Sequence, residues 1–96
     1  FQGLYVRRGT IGVILSGVLK WVDAVTIGAV NAKKPGQGAF TRLTQNLVER
    51  GYVVYVENVH NPQFRRKLVE LGYVAVNSNS GSNFIINYEG KLRNER

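Results

Sequence analysis

The sequence contains no cysteine and no methionine. A disulfide framework, a thiolate zinc site and a cysteine nucleophile are therefore excluded, and a reducing compartment, the cytoplasm, is the expected location. Histidine occurs once, and six acidic residues stand against thirteen lysines and arginines. With one histidine and only two acidic residues in the core region, a Ser-His-Asp set, a carboxylate pair at glycosidase spacing or a cluster of metal ligands cannot be assembled, so hydrolase and metalloenzyme chemistry fall away and no metal is expected. Long apolar runs are also missing: Gly17, Lys20 and Asp23 interrupt the richest stretch, residues 11–29. With these interruptions no apolar run approaches the roughly 18–20 residues that cross a bilayer, and no membrane association is expected.

What is present is basic and globular in composition. A net charge of +7 and a pI near 10.2 point to an anionic partner, whether nucleotide phosphates, nucleic acid or an acidic protein surface; a charge that only maintains solubility is the plain alternative. With 96 residues, 44% of them hydrophobic, the chain has enough material for one domain and a modest core. Residues 4–90 are read as that domain. Phe1-Gln2-Gly3, with no initiating methionine, reads as the remnant of a protease-cleavage linker, and residues 91–96 as a charged tail expected to fray.

Residues 4–6 and 10–19 are rich in β-branched and aliphatic side chains, which predicts two antiparallel strands turning at Arg7-Arg8-Gly9. Residues 21–30 are strand-like with both faces apolar, as in a central strand covered on both sides. Residues 31–38, with two lysines, a proline and two glycines, read as a loop. The period then changes to that of a helix over 39–50, with Phe40, Leu43 and Leu47 on one face and Gly51 as its stop. Residues 52–56 form a second buried strand. A right-handed crossover through the helix would lay it parallel beside 21–30, the two splaying apart toward Val30 and Val56. Asn61-Pro62 opens a second helix with Phe64, Leu68 and Leu71 inward and Gly72 at its end; strands at 74–76 and 83–88 flank the polar loop 77–82.

The order hairpin, strand, glycine-containing loop, helix, strand, helix, closing strands resembles the acetyl-CoA-binding half of the GNAT N-acetyltransferases. Val30-Asn31-Ala32-Lys33-Lys34-Pro35-Gly36-Gln37-Gly38-Ala39-Phe40 follows the family's strand-loop-helix motif, and Asn61 through Leu71-Gly72-Tyr73 its second landmark; the matches span residues 22–76. Pro35 stands where the family has an arginine and Phe40 where it has a small residue. A second register puts Lys33 at the basic position. The resemblance implies an α+β fold, a GNAT-like mixed twisted sheet with two principal helices. It also implies acetyl-CoA as cofactor, acetyl transfer from the coenzyme A thioester to an amine, and a reduced acceptor pocket. In many members a tyrosine on the last helix protonates the departing thiolate; Leu68 occupies that place.

On this resemblance the cofactor-binding residues are Ile27, Ala29 and Val30 at the thioester carbonyl, Lys33, Lys34, Gly36, Gln37, Gly38, Ala39 and Phe40 at the phosphates, and Asn61. Successive N–H groups at a helix start suit phosphate oxygens, and the two lysines add charge. Glu57 and His60 are the candidate bases, each with an ordinary structural role as the alternative. Arg65-Arg66-Lys67, with Lys33-Lys34 and Arg7-Arg8, would supply a basic surface for nucleic acid or an acidic protein, which is the remit of a non-catalytic GNAT-like binding module. Oligomer formation stays open.

Overall fold

A computed structural model describes residues 4–29, 37–76 and 83–95. Val30, Lys33, Lys34, Gly36 and the 77–82 loop lie outside these residues. The described chain forms β1 (Leu4–Leu15), β2 (Val18–Ala29), α1 (Gln37–Glu49), β3 (Val54–Glu57), α2 (Pro62–Glu70), β4 (Val74–Val76) and β5 (Asn83–Ile86). The strands make one mixed sheet in the order β1-β2-β3-β5-β4, so the fold is α+β with two helices.

The opening hairpin is longer than the sequence reading makes it. Arg7, Arg8 and Gly9 lie inside β1, and the turn is Ser16-Gly17, with φ of 52° and 80°. Two consecutive positive φ values match the right-handed twist of the flanking strands, and a Ser-Gly pair tolerates them at little cost. Arginines facing water on an outer strand satisfy strand geometry as well as turn geometry. The ladder pairs Leu15 with Val18 at one end and Leu4 with Ala29 at the other.

β2 and β3 are parallel neighbours, joined in sequence through α1 as the crossover requires. Their register runs Val25↔Val54 to Gly28↔Glu57. The expected splay at Val56 is therefore absent: Val56 still faces Ile27, and pairing continues one residue further. β5 joins the other side of β3 antiparallel, and β4 closes that edge against β5.

Strand alternation gives the sheet two apolar faces. On one, Val25, Ile27, Val54, Val56 and Phe84 pack against Phe40 of α1 and against Phe64 and Leu68 of α2. The Phe40 and Phe64 rings meet edge to face, with centroids 4.9 Å apart. On the other, Val13, Val22, Ala24, Tyr55, Val76 and Ile85 cluster together, with Tyr88 and Leu92 packed against them. β1 and β4 stand at opposite ends of the strand order yet approach each other, so the sheet curls around this second cluster.

The charged tail is tied down through its described residues. Trp21 and Arg93 exchange two backbone hydrogen bonds of 2.7 Å, Lys91 Nζ donates to the Gly51 carbonyl at 2.8 Å, and Lys20 donates to Asn94. β3 begins opposite Val25, which leaves the preceding stretch of β2 without a neighbour on that side; the tail fills it. Backbone pairing holds a polar segment that its own side chains would leave in water.

Candidate functional site

The ends of β2 and β3, the start of α1 and the loop into α2 are the regions that the sequence reading singles out. At the strand ends, Gly28 stands between Tyr5 on β1 and Glu57 on β3 in register. Gly28 is buried, and a Cβ there would overlap the Tyr5 ring. The ring thus lies across the glycine, and its hydroxyl donates to Glu57 Oε1. Glycine in a strand interior commonly marks such a close approach. Glu57, half-buried, is already held by a neighbour, and sequence reasoning missed that neighbour. The signal was present, since counting back from a turn at Ser16-Gly17 brings Tyr5 opposite Gly28.

Of the residues assigned to the thioester carbonyl, Ile27 is fully buried and its backbone belongs to the ladder with β3. Ala29 ends β2 and has no β3 residue opposite it, and Val30 lies outside the described residues. Helix α1 starts at Gln37, two residues earlier than expected, which places Gln37, Gly38, Ala39 and Phe40 in its first turn. The first four N–H groups of a helix have no intrahelical acceptor, and no acidic side chain in this turn competes for them. The Phe40 side chain points elsewhere: it is 1% exposed and sits in the core, so only its backbone is available to a ligand.

His60 is exposed in the loop between β3 and α2, separate in role from Asn61, which caps α2. Asn61 Oδ1 accepts from Gln63 N at 2.8 Å and Phe64 N at 3.2 Å, with Pro62 at the first helical position. Asn61→Ala should therefore lower the unfolding free energy by about 1 kcal/mol, while Asn61→Asp should lose much less, as read by urea denaturation. Equal losses would assign Asn61 a role other than the cap. Leu68, the position that the resemblance aligns with the family tyrosine, is completely buried among Phe40, Phe64 and the sheet. Arg66 and Lys67 are exposed and Arg65 is half-buried.

Two other polar positions are defined by the structure. Tyr73 is buried where α2 returns to the sheet, beside a cleft of about 270 Å³ lined by Val48, Glu49, Leu71 and Ile86. Burial pushes its phenol up to about 12, and Thr44 opposes this weakly, its hydroxyl donating instead to the Phe40 carbonyl at 3.0 Å. The Tyr73 hydroxyl has no hydrogen-bond partner among the described residues.

Asp23 is exposed on β2. Its carboxyl is held below the usual 3.8 by the Thr10 hydroxyl at 2.5 Å and then by Arg93, whose guanidinium is 3.2 Å away; desolvation opposes them. A depressed folded pKa stabilises the fold above the unfolded value, and that contribution disappears as pH falls through the folded pKa. Thr10→Val should accordingly raise the Asp23 titration midpoint measured by NMR, and so should Arg93→Gln. A midpoint that moves with neither substitution would remove both contacts as its cause.

Among the described residues no helix is long and apolar enough to cross a membrane, and no three potential ligands gather as a metal site. Compared with protein-family models, with curated proteins and with solved structures, the chain matches none.

Proposed function

We propose that this chain is a reduced GNAT-type domain that binds a coenzyme A thioester and transfers its acetyl group to an amine. The observation that carries this reading is the parallel pair β2/β3 joined through α1, within the strand order β1-β2-β3-β5-β4. In this arrangement the strand end at Ala29 and the first-turn N–H groups of Gln37 to Phe40 belong to consecutive elements. A carbonyl at the strand end would meet a backbone donor, and a pyrophosphate would meet the positive end of α1. Glu57 would act as the base that takes the amine proton, with the Tyr5 hydroxyl fixing its orientation.

A second reading, a non-catalytic module of the same fold, is favoured by two observations: Glu57 is engaged by Tyr5, and Leu68 leaves no acid for the thiolate. Calorimetric titration of coenzyme A separates the two. An acetyltransferase domain should bind coenzyme A saturably below millimolar concentration, and Gly38→Val should weaken that binding at least about tenfold by crowding the anion, with circular dichroism unchanged. Absence of wild-type binding at millimolar coenzyme A would leave the non-catalytic module.

A further inference from the structure

Among the described strands β1 is an outer one, paired with β2 alone. In a two-residue hairpin the residues flanking the turn form a hydrogen-bonded pair, and such pairs alternate along the ladder. From Leu15↔Val18 the alternation assigns Tyr5, Arg7 and Gly9 to bonds with β2. Val6, Arg8 and Thr10 then direct their N–H and C=O groups away from it. β2 obeys the same alternation on its far side, where Trp21 bonds Arg93 and Val25 N donates to the Val53 carbonyl at 2.8 Å. Residues 6–10 are all exposed, and Val6 retains half of its accessible surface.

Two depressions flank this edge and meet at Gly9, where a Cβ would have open space around it. One, of about 240 Å³, is lined by Arg7, Ile11 and Thr26. The other, of about 520 Å³, is lined by Arg8, Asp23, Val25 and Tyr52. In the second, the Arg8 guanidinium lies 5.1 Å from the centre of the Tyr52 ring, and Asp23 is occupied by Thr10 and Arg93. The charged residues lining the first depression, Arg7 and Arg8, are both basic, and β1 contains no acidic residue. Successive side chains of an added strand point to opposite faces, so they would enter the two depressions in turn.

We infer that residues 6–10 of β1 receive an extended segment of a partner protein by strand addition, with acidic side chains at alternate positions on the Arg7 face and apolar ones on the Arg8–Tyr52 face. The open ladder supplies main-chain hydrogen bonds, and Arg7 selects the sign of the partner. A second copy of this chain is disfavoured at the same edge, because antiparallel pairing of two β1 strands brings arginines against arginines. This inference does not depend on coenzyme A binding.

The probe is a capped, fluorescein-labelled peptide, Thr-Glu-Val-Glu-Val-Glu-Thr, followed by fluorescence anisotropy with the full chain. Saturable binding is expected, weakened at least about tenfold by Arg7→Glu and similarly by Val6→Pro, which removes one outward N–H and no bond to β2. The same peptide with alternate amides N-methylated keeps its charge and loses one edge of donors, and it should bind at least about tenfold more weakly to the unmodified protein. This comparison decides the question even if Val6→Pro fails to fold. Equal binding of the methylated peptide would overturn strand addition in favour of simple charge attraction. No saturation at millimolar peptide, displacement by an equal concentration of a single-stranded oligonucleotide, or a dimer that excludes the peptide would each overturn it as well.

Discussion

Replacing Phe40 with alanine is expected to lower the free energy of unfolding by about 3–5 kcal/mol, the range for a large aromatic removed from a packed interior. Phe40 is 1% exposed, meets Phe64 edge to face and belongs to the cluster that joins both helices to Val25, Ile27, Val54 and Val56. The two helices share this contact, so the cavity cannot close by moving one side chain alone. Because small domains are stable by only about 5–15 kcal/mol, the variant should sit near its unfolding midpoint at modest urea concentration. Phe40→Leu should recover most of the loss, since it refills much of the volume with an apolar side chain. Urea denaturation followed by circular dichroism reads both. A loss below about 1 kcal/mol for Phe40→Ala would show that α1 does not dock through this ring.

The second large effect is expected at Gly28. Gly28→Val should cost about 1–3 kcal/mol, because the new side chain occupies the space of the Tyr5 ring and forces it away from Glu57. The cost comes from Tyr5 and not from the backbone. Gly28→Val in a Tyr5→Ala background should therefore be far milder, since valine suits a strand and the obstruction has gone. The coupling energy from this double-mutant cycle should fall within about 0.5–3 kcal/mol, as for side chains in direct contact. Tyr5→Phe isolates the hydroxyl and should lose about 1 kcal/mol, the ordinary value of one hydrogen bond. Additive losses for Gly28→Val and Tyr5→Ala would mean that the ring does not rest on the glycine.

These residues also show what could be read from the chain in advance. Asn61-Pro62 marked a helix start because a side-chain acceptor followed by proline satisfies local backbone geometry with no help from elsewhere. Phe40, Phe64 and Leu68 were readable as core because helical spacing repeats within one element. The parallel pairing of β2 and β3 was readable because a strand, a helix and a strand have one favoured handedness. The turn at Ser16-Gly17 was missed because Arg7-Arg8-Gly9 looked more polar, although polarity belongs equally to an exposed outer strand.

Local sequence by itself determined the two helices, their inward faces and the cap of α2, because each depends on spacing within a few residues, and a general rule of chain connection gave the parallel β2/β3 pair; the position of the hairpin turn was not among them. Only the tertiary structure decided what meets across the sheet. Tyr5 and Glu57 are 52 positions apart, and Asp23 and Arg93 are 70 apart. Their contacts depend on strand register, where an error of one residue sends every side chain to the opposite face. The docking of residues 91–95 had no signal of its own, because it rests on backbone groups that every residue carries, pairing with the stretch of β2 that lies before β3 begins.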